Sequence, residues 1–199
     1  MQWSPHNANF VYVTDLGLDQ VKLYPYEAET GRFGAASVAF RSAPGEGPRH
    51  VAFHPSKKLA YIMHELRNTV SLVRILDDGS FELLASASTL PEDFEGKNQG
   101  AHISVSKNGK YLYVSNRGLN SIAIFDLDTD GMMTLRKNVS TGGDWPRFFK
   151  LFDDYGYMLV ANRRSGDINV FEVEKNGDLK RTESQLKIPH PTFIEEYMH

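Results

Sequence analysis

The stretch GAHISVSKNGKYLYVSNRGLNSIAIF, from Gly100 to Phe125, decides the fold because its pattern occurs four times in the chain. It reads as a strand, a polar turn at Lys107-Asn108-Gly109, a second strand, a loop with Asn and Arg, and a third strand. Related stretches cover residues 3–24, 47–73 and 144–171. Repetition at a period of roughly 20 to 50 residues is the sequence signature of repeat architectures.

The spacing and composition of the repeats are those of propeller blades. One aligned apolar position recurs after 49, 52 and 46 residues, at Val21, Val70, Ile122 and Ile168. The runs around it, such as Ala60–Met63 and Tyr111–Val114, are short, rich in β-branched or aromatic residues and bounded by turn residues. A fourth, outer strand follows, as at Phe81–Leu84. The sequence therefore predicts an all-β propeller of four-stranded blades.

The blade count indicates an incomplete ring. We expect residues 1–199 to form a single, partial propeller domain, with blades at about 1–45, 46–98, 99–143 and 144–187. Residues 190–196 are predicted to be a lone closing strand, because propellers commonly close when a terminal strand completes a blade at the other end. We therefore expect the chain to be the C-terminal part of a larger propeller, whose exposed blade edges would favour self-association.

Composition excludes several classes of protein. The 199 residues have a net charge of -3 and are 41% hydrophobic, which argues against a nucleic-acid binder. The longest apolar runs are too short to span a membrane. Because there is no cysteine and no secretory signal at Met1, we expect a cytoplasmic location. The seven histidines have no metal-ligand spacing, so no metal and no cofactor are expected.

Several short motifs resemble one enzyme family. They include Gly47-Pro48-Arg49-His50, Ser88-Thr89-Leu90-Pro91, Ser115-Asn116-Arg117-Gly118 and Ser140-Thr141-Gly142-Gly143. The chain resembles the seven-bladed propeller lactonases, which include bacterial 6-phosphogluconolactonases and fungal 3-carboxy-cis,cis-muconate lactonising enzymes. The resemblance extends through the whole chain but covers only the C-terminal four of the family's seven blades. It also implies a closing strand at Pro191–Ile194.

The repeats indicate which side chains meet in space, independently of the family. Equivalent positions of successive blades surround the central channel at one level. One such position holds Arg49, Ala101 and Arg147, and another holds Leu16, Glu65, Arg117 and Arg163. We expect the charged members to converge at one mouth, with His50, His64 and His102 beside them. Arginines around a channel suit a small anion, because guanidinium groups bind carboxylate or phosphate and stay charged.

The resemblance assigns roles to three of these residues. Arg49, Glu65 and Arg117 match the family's two arginines and glutamate, and are predicted to be catalytic. The family's histidine is expected just upstream of Trp3-Ser4-Pro5, where no histidine is present. Glu65 would activate water as a general base, or position it, while the arginines bind the substrate anion and the developing oxyanion. His50, His64, His102, Arg147 and Arg163 are predicted to bind substrate.

Three functions remain open from the sequence. The first is hydrolysis of a small anionic lactone, of the 6-phosphogluconolactonase type. The second is a muconate-type lactonising reaction, which uses the same site in the opposite direction. The third is a non-catalytic propeller module with a binding or structural role, since propellers host many functions.

Overall fold

The computed structural model describes residues 1–196, and every regular element in that range is a β-strand. The strands form four antiparallel sheets that follow one another along the chain. The first sheet, blade 1, contains β1 (Gln2–Trp3), β2 (Phe10–Asp15), β3 (Gln20–Glu27), β4 (Arg32–Phe33) and β5 (Ser37–Arg41). In this sheet β3 pairs with β2 on one side and with β5 and the short β4 on the other.

The other three sheets are simple four-stranded meanders, as expected of propeller blades. Blade 2 contains β6 (Pro48–Phe53), β7 (Leu59–His64), β8 (Thr69–Ile75) and β9 (Phe81–Ser88). Blade 3 contains β10 (Gln99–Val105), β11 (Tyr111–Arg117), β12 (Ser121–Leu127) and β13 (Met133–Ser140). Blade 4 contains β14 (Pro146–Phe152), β15 (Tyr157–Asn162), β16 (Asp167–Val173) and β17 (Leu179–Lys187).

The hydrophobic core lies between the blades. One cluster of buried apolar side chains joins blades 1 and 2, a second joins blades 2 and 3, and a third joins blades 3 and 4. The middle strands of blades 2 and 3 are therefore largely buried on both faces, which is why β7 and β12 read as nearly continuous apolar runs. The Met63 side chain of blade 2 reaches the Gly100 backbone of blade 3 and occupies the space that a Cβ atom would need there.

A tyrosine hydroxyl group forms a hydrogen bond across each of the three contacts between neighbouring blades, which we call seams. Tyr12, Tyr61 and Tyr113 lie in the second strand of blades 1, 2 and 3 and are almost fully buried. Their hydroxyl groups donate to the backbone carbonyls of Gly79, Gly131 and Gly177, at 2.8, 2.8 and 2.9 Å. Each of these glycines lies in the hairpin between the third and fourth strands of the next blade. The same bond thus repeats at every seam.

The predicted all-β propeller architecture is confirmed, and each sheet lies within one of the predicted blade intervals. Residues 191–196 pair with no strand among the described residues. The closing strand therefore stays a prediction. Positions 197–199 of the predicted domain lie outside the described residues.

Candidate functional site

The innermost strands present their side chains through β-bulges at matching positions. In β6 the pairing with β7 jumps from Pro48 to His50, and in β14 the pairing with β15 jumps from Pro146 to Phe148. Arg49 and Arg147 are therefore the extra residues of their strands. In β10 a similar irregularity falls between Gly100 and Ile103. Because a bulge re-aims the side chain of the inserted residue, these strands turn their repeat-equivalent positions toward a common region.

Glu65 lies between two arginines. Its Oε2 atom is 2.9 Å from Arg49 Nε and 3.0 Å from Arg117 Nη2. All three side chains are largely removed from solvent, with exposures of 17%, 13% and 4% for Glu65, Arg49 and Arg117. The arginines are also held by backbone carbonyls, since Arg49 Nη1 donates to Ala101 O at 2.6 Å and Arg117 Nη2 to Gly100 O at 2.7 Å. The predicted catalytic residues thus meet in one ion cluster.

Positive charge exceeds negative charge in this cluster. Burial and the nearby charge of Arg117 together lower the pKa of Arg49 to about 10, despite the opposing effect of Glu65. Burial also lowers the pKa of Arg117, and Arg147 acts on both groups in the same direction. Within residues 1–196, Arg147 forms no side-chain hydrogen bond or ion pair with the protein. One carboxylate therefore faces three guanidinium groups, which is an arrangement that attracts anions.

Two histidines lie side by side next to Arg49. The Nδ1 atoms of His50 and His102 are 2.9 Å apart, so one ring donates a hydrogen bond to the other. Phe148 stacks on His102 with 4.2 Å between ring centroids. Burial and the charge of Arg49 lower the pKa of His50 to about 3, and burial lowers the pKa of His102 well below its usual value. Both imidazoles are therefore neutral at pH 7.

The third predicted histidine points elsewhere. His64 is the last residue of β7, and its side chain is fully buried inside blade 2. Its Nε2 atom is 2.9 Å from Ser71 Oγ. Successive side chains of a strand point to opposite faces, so the orientation that brings Glu65 to the arginines directs His64 into the blade. This placement does not support contact between His64 and a substrate.

Arg163 also lies apart from the cluster. It follows β15 as Glu65 follows β7, but its side chain is exposed. The next residue, Arg164, instead lies over the indole of Trp145, with its Cζ atom 3.4 Å from the ring centroid. Arg117 Cζ is 5.4 Å from the same centroid. Sequence reasoning missed both Trp145 and Arg164, because the equivalent positions of blade 2 hold Gly47 and Leu66, which have neither a charge nor an aromatic ring. The available signal was a tryptophan directly before the Pro146-Arg147 pair of an inner strand.

A small cavity of about 190 Å³ opens beside the histidine pair. Its lining combines Arg49, His50 and His102 with Phe148 and Phe193, and it is completed by residues of the first blade that include Met1 and Gln2. A wider depression of about 730 Å³ lies at the β3–β4 hairpin, but no residue of the ion cluster lines it. Charge and burial therefore favour the smaller cavity as a ligand site.

Residues 1–196 contain neither a cluster of metal ligands nor a membrane-spanning helix. No three His, Asp or Glu side chains in that range converge closely enough to hold a metal ion. No helix in it is long and apolar enough to cross a membrane.

Comparisons with known proteins agree with this fold. The family described as "Lactonase, 7-bladed beta-propeller" matches residues 1–196. A 6-phosphogluconolactonase of Bacillus subtilis is 37% identical over 194 residues, covering 96% of this chain and 54% of the relative. Among solved structures, the periplasmic gluconolactonase PpgL of Pseudomonas aeruginosa superimposes with a TM-score of 0.89 at 29% identity. A protein from Lactobacillus plantarum does so with a TM-score of 0.87 at 30% identity.

These matches cover nearly all of this chain but only about half of each relative. The two structural matches cover 96% and 95% of this chain but 54% and 55% of the other chains. The chain therefore spans about half the length of the relatives that it matches. Because the family match extends over nearly every residue, its assignment does not depend on one blade or one motif. This chain belongs to the seven-bladed β-propeller lactonase family.

Proposed function

We propose that the chain provides the anion-binding and water-activating residues of a lactonase that hydrolyses a small, negatively charged lactone. The observation that carries the proposal is the position of Glu65 between Arg49 and Arg117 at 2.9 and 3.0 Å. The 37% identity to a 6-phosphogluconolactonase supports a phosphorylated sugar lactone as the substrate. A cytoplasmic location and self-association through blade edges stay predictions.

The chemistry divides between the carboxylate and the arginines. Both arginines approach Oε2 of Glu65, and we assign Oε1 to the attacking water. Water adds to the lactone carbonyl as its proton passes to Glu65, and the ring C–O bond then breaks as Glu65 returns that proton to the leaving alkoxide. Arg49 and Arg117 stabilise the negative charge that develops on the carbonyl oxygen. The product is the open hydroxy acid, and no cofactor is needed.

The charge surplus supports an anionic substrate. Arg147 has no anionic partner within residues 1–196, although its charge acts on Arg49, Arg117 and His50. We assign it to the substrate's remote phosphate or carboxylate, which it would bind as a fixed cation. The neutral His50–His102 pair adds hydrogen-bonding capacity without further positive charge. Arg163 is exposed, so its predicted contact with substrate has the weakest structural support.

Two alternatives are tested by the choice of substrate. A muconate-type lactonising reaction is the second candidate, since the resemblance assigns Arg49, Glu65 and Arg117 to that chemistry as well. A binding module without catalysis is the third, because Met1 and Gln2 line the cavity near the position where the family's histidine is expected. Such a module would bind a phosphorylated or carboxylated ligand and leave every lactone intact.

The experiment compares hydrolysis of 6-phosphogluconolactone, gluconolactone and a muconate-type lactone, followed as acid release above the spontaneous rate. We expect the phosphorylated lactone to be preferred, and Arg117→Ala to lower kcat/KM about 100-fold or more. Arg74→Ala is the matched control, because Arg74 pairs with Glu82 on the exposed outer part of blade 2. Equal hydrolysis by Arg117→Ala and Arg74→Ala would refute the site. Ligand binding without hydrolysis would favour the binding module.

A further inference from the structure

Trp145 has an unusual backbone conformation for its residue type. Its φ angle is +66°, in the left-handed region. The other non-glycine residues with positive φ in the described range are Asp19, Asn68, Asn120 and His190. Asn, Asp and His adopt this region several-fold more often than other residues, whereas a bulky side chain there is rare. Strained residues of this kind cluster at functional sites, where the surrounding structure holds them in place.

Hydrogen bonds fix both sides of this residue. The Trp145 N–H donates to Asn120 Oδ1 at 3.0 Å, and its carbonyl accepts from the Arg163 N–H at 2.9 Å. Asn120 Oδ1 also accepts from the N–H of Gly118, the residue that follows Arg117. The backbone of Trp145 is thus tied to the loop that begins at Arg117.

The indole lies beside the guanidinium of that arginine. Arg117 Cζ is 5.4 Å from the Trp145 ring centroid, within the range of a cation–π contact. Arg117 Nη2 is bound by Glu65 and Gly100, but its buried Nε–H has no hydrogen-bond partner in residues 1–196. Hydrogen bonds therefore hold only one side of this guanidinium. The indole supplies a further contact that limits its rotation.

We propose that Trp145 is a positioning residue of the site, which uses its indole to hold the Arg117 guanidinium against Glu65. Gly47 has the same φ of +66° at the equivalent position of blade 2, and its carbonyl accepts from the Glu65 N–H at 2.8 Å, so the left-handed backbone belongs to the repeat and Trp145 adds an indole to it. Arg164, stacked at 3.4 Å on the same ring, adds positive charge at this edge of the cluster. The effect on catalysis rests on the proposed lactonase function, whereas the effect on Arg117 does not.

The test compares Trp145→Phe with Trp145→Leu, two apolar replacements that share the backbone position but differ in having an aromatic face. The first readout is the NMR signal of the Arg117 Nε–H in the 199-residue chain, assigned by its loss in Arg117→Lys. We expect the signal to stay narrow and shifted in Trp145→Phe, and to broaden or move to the free-arginine position in Trp145→Leu. The second readout is hydrolysis, where Trp145→Leu should lower kcat/KM about tenfold and Trp145→Phe less than about threefold.

Trp145→Gly and His190→Gly separate the aromatic contact from backbone strain. Both relieve a positive φ angle, but only Trp145→Gly removes the indole, and His190 is an exposed residue with φ +50°. The Arg117 signal should change in Trp145→Gly and be unaffected in His190→Gly. Equal Arg117 signals in wild type and Trp145→Leu, or equal changes in the Phe and Leu variants, would overturn the proposal. Expected signal changes without lactone hydrolysis by any variant would uphold it and refute the lactonase function instead.

Discussion

At the three seams between blades, the repeat places the same residue and the same bond each time. Tyr12, Tyr61 and Tyr113 donate to a hairpin carbonyl of the following blade, at 2.8 to 2.9 Å. At the channel mouth, the repeat-equivalent position at the end of the second strand holds Glu65, Arg117 or Arg163. Repeat-equivalent positions thus hold the same residue at the seams and different residues at the mouth.

This difference distinguishes structural from functional positions within a single chain. The same side chain suits each seam, because every tyrosine fills a similar gap between two neighbouring sheets. A ligand site surrounded by blades needs different groups on different sides, and only one carboxylate is present among the arginines. Arg117 can be buried because Glu65 and the Gly100 carbonyl bind it, whereas Arg163 has no such partner among residues 1–196 and is exposed. An equivalent position in the repeat therefore predicts where the backbone of a residue lies, but not what its side chain does.

The largest effect is expected at the central seam. Tyr61→Ala removes a fully buried aromatic side chain and its bond to Gly131, and should lower the free energy of unfolding by about 3–5 kcal/mol. Tyr61→Phe, which loses only the hydroxyl group, should cost about 1 kcal/mol. Chemical denaturation measures both values. Tyr155→Ala is the control, since Tyr155 is 67% exposed, and a cost as large as that of Tyr61→Ala would contradict the special role of the seam.

A smaller, graded effect is expected at alkaline pH. Burial raises the pKa values of Tyr12, Tyr61 and Tyr113 above their ordinary value near 10. Below about pH 10 these tyrosines are neutral in both states, so their contribution to stability is complete. Above it the unfolded chain loses these protons first, and stability should fall as pH rises. Denaturation midpoints from pH 8 to 11 measure the slope, which Tyr61→Phe should reduce. An unchanged slope in that variant would assign the alkaline loss to other groups.

The sequence predicted the blades and part of the mouth for one physical reason. Blade periodicity fixes backbone positions, so the aligned repeats brought Glu65 to Arg117 and Arg49 without any coordinates. It could not predict that His64 turns into blade 2, because that depends on the face a strand residue occupies at its end. The position of Trp145 depends on a left-handed backbone conformation that no residue preference favours for tryptophan. The repeat pattern therefore did not predict the directions in which the side chains of His64 and Trp145 point.

The smallest effect, and the sharpest test of the mouth, is expected from Arg147→Ala. Arg147 repels Arg49 and Arg117 and has no anionic partner among residues 1–196, so its removal should raise the free energy of unfolding by up to about 0.5 kcal/mol. The same change should raise KM for a phosphorylated lactone severalfold, with a difference that shrinks as salt screens the charge. Denaturation and kinetics at low and high ionic strength measure both effects, with Arg74→Ala as the control. If Arg147 were a packing residue like the seam tyrosines, its truncation would lower the free energy of unfolding and leave KM unchanged. A gain in stability together with weaker substrate binding is what distinguishes a position retained for its ligand from one retained for the fold.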